Sequence, residues 1–251
     1  MPPPNVSRSR RQAGLLLVTS LFLLPLGCRP VREAAPPAPT TPGVNRPVPA
    51  GYTRYRVIPG KSDVRVLVYR EGPMARLGHN HVLRSQALVG DVLLGKPGAE
   101  PRFSLVLPVA SFSVDEAGLR AEEGEDFPAP VSDDAIAGTR KNLLSEALLD
   151  GANYPDIRLK SSKVSGLAPD YSIAVAVEIR GQVHELQVPV HVVRRGDELQ
   201  ATGHLTVTHG QLGLTPFTVM GGLLSVRDDM RLRFRIVAQA GRTASPAPAA
   251  P

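Results

Sequence analysis

From Asp229 to Ala240 the chain alternates with a period of two. Met230, Leu232, Phe234, Ile236 and Ala238 fall on one side; Arg231, Arg233, Arg235 and Gln239 fall on the other, with Val237 the single exception. Such alternation marks a β-strand with one dry face. The strand's N–H and C=O groups need partners along both edges, and further period-two runs occupy most of the chain from about Tyr52 onward. Val64, Val66 and Val68 share a face, as do Phe103, Leu105, Leu107 and Val109. The same holds for Ile173, Val175, Val177 and Ile179; for His184, Leu186, Val188, Val190 and Val192; and for Leu199, Ala201, Gly203, Leu205 and Val207. Residues 79–94 supply a long or bent strand and 157–164 another. The expected fold class is all-β: an eight-stranded antiparallel up-and-down barrel whose interior is packed or holds one small ligand.

One segment breaks the β pattern. Between Asp115 and Asp134 lie Glu116, Glu122, Glu123, Glu125, Asp126 and Asp133, with Pro128 and Pro130; the cluster reads as a solvated loop, since its spacing fits no calcium loop. Ser132 or Asp133 then caps an amphipathic helix near 133–149, in which Ile136, Arg140, Leu143 and Ala147 follow helical spacing beside Leu144 and Leu148. That stripe suits the closure of one barrel end.

Residues 1–28 read as an export signal: Arg8, Arg10 and Arg11 precede a short apolar run from Ala13 to Leu26 that ends at Gly27 and Cys28, the only cysteine. An apolar run of about 14 residues is too short to span a bilayer of about 30 Å. With one cysteine no internal disulfide forms, so the fold rests on its core. Residues 29–51 carry seven prolines, Pro30, Pro36, Pro37, Pro39, Pro42, Pro47 and Pro49, and read as an extended tether. Residues 242–251 read as a disordered tail. Once the signal is set aside, 26 basic face 23 acidic residues, a net of +3 that is too weak and scattered for nucleic acid. Without tryptophan and with 4% aromatics, the core must be aliphatic.

Against that background several stretches resemble a known family. They are Gly78-His79-Asn80-His81-Val82; Leu149-Asp150 with Tyr154-Pro155 and the strand from Ile157 to Val164; the Gly181-centred hairpin from Val177 to Val183; and the passage from His209 to Pro216 that leads to Asp228-Asp229. In order and spacing they are similar to the YceI-like family of bacterial periplasmic proteins, and Leu24 to Cys28 resembles the lipobox of bacterial lipoproteins. The resemblance covers roughly residues 52–241. It implies a lipocalin-like barrel around an elongated apolar cavity for an isoprenoid lipid or quinone, with no cofactor and no enzymatic step. It also implies a periplasmic protein anchored to the membrane through an acylated Cys28, and it leaves a homodimer open. On this reading the ligand would meet His79, His81, Phe103, Leu105, Leu107, Val175, Val177, Leu186, Val188, Leu205 and Phe234.

His79 and His81 are the strongest chemical candidates. At positions i and i+2 of a strand they would point to one side, toward a structural role at the barrel rim, a ligand head group, or, more weakly, a metal. Metal sites want three or four ligands, and His184, His191, His204 and His209 have no identifying spacing. His184, on an apolar face, reads as a satisfied core histidine. No nucleophile elbow, phosphate-cradling loop or paired-cysteine site is visible. Besides the lipid carrier, two alternatives stand: an envelope interaction module with a packed barrel, and a metal-binding protein using His79 and His81.

Overall fold

A computed structural model describes residues 47–241 except Pro97 and Ala129. The export signal with Cys28, the tether up to Arg46 and the 242–251 tail lie outside the described residues. In chain order the first strands are β1 (Tyr52–Val57), β2 (Asp63–Glu71), β3 (His81–Ser85), β4 (Val89–Gly95), β5 (Arg102–Pro108) and β6 (Ser113–Val114). Two helices follow, α1 (Ala117–Glu122) and α2 (Asp133–Leu144). Then come β7 (Asp156–Leu167), β8 (Asp170–Ile179), β9 (Gln182–Arg195), β10 (Glu198–Thr208), β11 (Thr218–Val219) and β12 (Leu224–Ala240).

These segments form one closed antiparallel barrel of eight positions, because several pairs of short strands share a place. β12 pairs along one edge with β10, from Glu198↔Gln239 to Thr208↔Asp229. Its other edge takes first β1, at Val57↔Ala238, and then β2, from Asp63↔Arg235 onward. β3 and β4 likewise share the next place, pairing with β2 and β1 respectively. From β5 through β7, β8, β9 and β10 the order is a plain meander. Closure through β12 joins the two ends of the sheet, although β9 and β10 pair directly only from Glu198↔Arg195 to Thr202↔His191.

The break between β1 and β2 explains the one exception in the β12 alternation. The side chain of Val237 is buried, and its carbonyl accepts the Ile58 N–H at 2.8 Å. Its own N–H donates to the Oγ of the buried Ser62 at 3.1 Å. One serine hydroxyl thus repairs the ladder where the strand is interrupted.

Two departures from the sequence expectations concern the polar segment. Asp115 is buried, and α1 and the loop after it pack on the outside of β2 and β3, where Leu119 and Phe127 join Leu67, Tyr69 and Val82 in a second apolar cluster. The Tyr69 and Phe127 rings meet edge-on at 5.5 Å. The segment is therefore not simply a solvated loop; Leu119 and Phe127 supply apolar area that its acids conceal. Of those acids, Glu122 and Glu123 pair with Arg65 on the outer face of β2.

α2 forms as expected, though it ends at Leu144. Ser132 is the cap: its hydroxyl accepts the Ala135 N–H at 3.4 Å, and Asp133 and Asp134 sit in the first turn, where the helix dipole favours negative charge. Arg140 donates to the carbonyls of Ala110 and Phe112. Those bonds hold α2 over the barrel end from which β7 and β9 start and at which β2, β8 and β10 finish, with Leu143 buried and Ile136 and Leu144 packed against the core.

Candidate ligand cavity

Alternate residues of every long strand point inward, and the space between them is not filled. The interior encloses a cavity of about 770 Å³. On β12 its wall is made by Leu224, Val226, Met230, Leu232, Phe234, Ile236 and Ala238, the dry face of the strand. On β8 it is made by Tyr171, Ile173, Val175, Val177 and Ile179. At about 3.3 Å per residue and a strand tilt of about 40°, the stretch from Tyr171 to Ile179 corresponds to roughly 20 Å along the barrel axis. The void is thus elongated and aliphatic.

All eleven residues expected to meet a ligand lie on this wall: His79, His81, Phe103, Leu105, Leu107, Val175, Val177, Leu186, Val188, Leu205 and Phe234. They surround the void from β3 and the approach to it, and from β5, β8, β9, β10 and β12. The wall changes character toward its ends. At the end covered by α2 it carries Arg70, His79, His81 and His209; near the other it carries Arg102 and Arg194.

His79 and His81 do come together, with ring centroids 6.3 Å apart, but not as neighbours on one strand. β3 begins at His81, and His79 belongs to the approach from Gly78. Among the described residues no group of three or more His, Cys, Asp or Glu side chains is arranged to hold a metal ion. His209 is buried, and its Nδ1 donates to the Asp228 carbonyl at 2.8 Å. His184 is not among the cavity-wall residues and is not satisfied there: its buried Nε2 has no hydrogen-bond partner among the described residues. Its ring lies under Gly213, whose φ is +64° and where an added Cβ would fall 2.7 Å from His184 Cε1, so only glycine fits there.

His81 has a partner that the sequence did not announce. Its Nδ1 lies 2.6 Å from Oδ2 of Asp115, whose side chain is entirely buried. The other oxygen, Oδ1, accepts the Val82 N–H at 2.9 Å and the Arg120 guanidinium at 2.6 Å. Burial alone would raise the Asp115 pKa; the hydrogen bonds from His81, from the Val82 N–H and from Arg120 outweigh it and hold the carboxyl below its ordinary value. Arg120 is itself 1% exposed and also donates to the Asn80 and Pro128 carbonyls. Burial lowers the His79 pKa, helped by the positive charge of His81 when protonated and of Arg120 and Arg70 nearby.

Residues 76–238, well over half of the 251-residue chain, match a sequence model described as the YceI-like domain. The chain belongs to the YceI-like family. No curated protein matches it in a sequence search. Among solved structures it is similar to Burkholderia cenocepacia BcnA, at 17% identity and a TM-score of 0.52, with 73% of this chain and 99% of that chain covered. It is also similar to the Campylobacter jejuni YCEI protein at 9% identity and a TM-score of 0.46, covering 64% and 85%. At 17% identity BcnA supports the fold of this YceI-like barrel and nothing finer.

Asp115 and Arg120 escaped the sequence reading for a physical reason. Asp115 stands 34 residues from His81 and in a run of acids, so only the pairing of β3 with β6, Leu83↔Val114, brings it beneath the imidazole. Its backbone is a local signal of a kind invisible in sequence: φ is +53°, a left-handed conformation that aspartate tolerates better than most residues.

Proposed function

We propose that this YceI-like protein holds one elongated apolar ligand, an isoprenoid lipid or quinone, inside its barrel, and carries the ligand without transforming it. The observation that supports this most directly is the unfilled aliphatic cavity of about 770 Å³. That volume lies in the upper part of the range of small-molecule sites, about 300–1,000 Å³. At roughly 30 Å³ per water-sized group it takes about 25 non-hydrogen atoms, the carbon count of five isoprene units. Each buried CH₂ contributes roughly 0.8 kcal/mol, enough in sum to offset the cost of association. The void also weighs against a barrel with a packed interior.

In this reading the chain is exported and tethered at the membrane. Residues 1–28 direct export, Cys28 is acylated, and the proline-rich stretch holds the barrel off the bilayer surface. The experiment that tests the binding reading adds prenyl alcohols of increasing length to the purified protein and follows uptake by native mass spectrometry. Uptake at one ligand per chain, with an upper limit of chain length, is the expected outcome; no uptake at any length contradicts it.

A further inference from the structure

The lipid-carrier reading says nothing of the ligand's polar end, and this inference rests on that reading while going beyond it. We propose that the cavity end built by Asp115, His81 and His79 selects a hydroxyl head group, an alcohol or a phenol, with His81 Nε2 accepting the hydroxyl hydrogen.

The donors and acceptors at this end of the cavity do not balance within the protein. Asp115 is a carboxylate, so both its oxygens only accept. Oδ1 is already taken by the Val82 N–H and Arg120, and Oδ2 faces His81 Nδ1 at 2.6 Å. A contact that short requires a hydrogen, and only the imidazole can supply it. Nδ1 therefore carries the proton, and in the neutral ring Nε2 is left as a bare acceptor. Nε2 has no hydrogen-bond partner among the described residues. His81 lines the cavity and Asp115 does not, so the ring edge turned away from the carboxylate is the one presented to the ligand.

A bare acceptor in an apolar space asks for a donor. Ethers, ketones and esters offer none, and a phosphate at neutral pH would set negative charge against the Nε2 lone pair, above a buried carboxylate. An alcohol or phenol supplies the missing hydrogen. Beside it His79, whose pKa is lowered by burial, has no partner at either nitrogen among the described residues and supplies one further donor to the hydroxyl oxygen. Arg70, a cation on the wall at this end, donates to the Gly78 carbonyl.

The test uses the full chain and three probes with one hydrocarbon tail: geranylgeraniol, its methyl ether and its monophosphate. One hydrogen bond to a neutral acceptor corresponds to about a 3- to 10-fold preference. The alcohol should bind that much tighter than the ether. In His81→Phe, which keeps an aromatic ring but has no acceptor, the alcohol-to-ether ratio should fall to about one, whatever the variant does to the affinity for both. In Asp115→Asn the amide oxygen stays with the Val82 N–H and Arg120, and the NH₂ faces Nδ1, which moves the imidazole proton to Nε2; the alcohol preference should vanish there too. Asparagine tolerates the left-handed backbone, so the variant keeps the loop. Should either variant fail to fold, ¹⁵N imidazole signals of the wild type decide: protonated Nδ1 with bare Nε2 is expected, and either the reverse tautomer or a ring protonated at both nitrogens overturns the proposal. Equal affinity for alcohol and ether, or tighter binding of the phosphate, overturns the head-group assignment and leaves the carrier reading standing. No binding of any probe removes both.

Discussion

Phe234 fills the place that a side chain at residue 203 would need: a Cβ on Gly203 would fall 2.5 Å from the Phe234 Cζ and 2.4 Å from the Pro189 carbonyl oxygen. The two residues are directly paired across β10 and β12. The ring therefore lies over the glycine and sets the local width of the cavity.

Gly203→Ala should cost about 1–3 kcal/mol, because one of the two clashes is with backbone and cannot be relieved by turning a side chain. Chemical denaturation measures it. Phe234→Ala should cost about 3–5 kcal/mol and widen the cavity, raising the longest prenyl chain that the protein accepts. A shorter limit in Phe234→Ala would contradict the placement of the ring.

Leu186 and Val188 line the void from β9, and Leu186→Phe with Val188→Phe would place two rings in that space. Uptake of prenyl chains should fall more than tenfold with stability changed by less than about 1.5 kcal/mol, since the added volume enters open space rather than packed core. Binding as in the wild type would mean that the ligand sits elsewhere.

Much of this was open to a reader of the sequence. Period two assigned the inward face of β12 residue by residue, and its one exception, Val237, turned out to be the residue that Ser62 ties to the break between β1 and β2. The same rule failed at His79, because a strand can start at the second of two histidines and leave the first in the loop. It was silent on Asp115 and Arg120, whose roles depend on a strand pairing across more than 30 residues and on a helix laid against the outer wall. Local periodicity reports which side of a strand is dry. Long-range contacts between polar residues leave no such trace.

Arg120 and Asp115 form an ion pair with side chains 1% and 0% exposed. Arg120→Met should destabilise the protein by about 3–5 kcal/mol, because it leaves the carboxylate buried with one charge partner fewer. It should also weaken the hold on His81. A loss below about 1 kcal/mol in thermal or chemical unfolding would show that water reaches the pair.

Both perturbed acid–base groups at this end make the fold acid-sensitive. His79 and Asp115 each have a folded pKa below the ordinary value, so in each case the unfolded chain binds the proton more readily. The His79 contribution is fully present above about pH 6.5 and fades as pH falls through its lowered pKa. That of Asp115 is present above about pH 4 and fades in the same way. The denaturation midpoint should therefore fall below about pH 6.5, and the first part of that fall should be absent in His79→Gln. A midpoint that rises between pH 7 and pH 5 would contradict the assignment.

Cys28→Ser should move the protein from the membrane fraction to the soluble fraction of the envelope, read by fractionation and immunoblot. An unchanged membrane-bound share would remove the acyl anchor from the account.

Whether the barrel holds a lipid is read most simply by native mass spectrometry of protein purified from a bacterial host, followed by organic extraction of what travels with it. An adduct near one per chain is expected, with the mass of a prenyl alcohol, a quinol or a related isoprenoid. A barrel that emerges empty and stays empty when prenyl lipids are offered in detergent would contradict it.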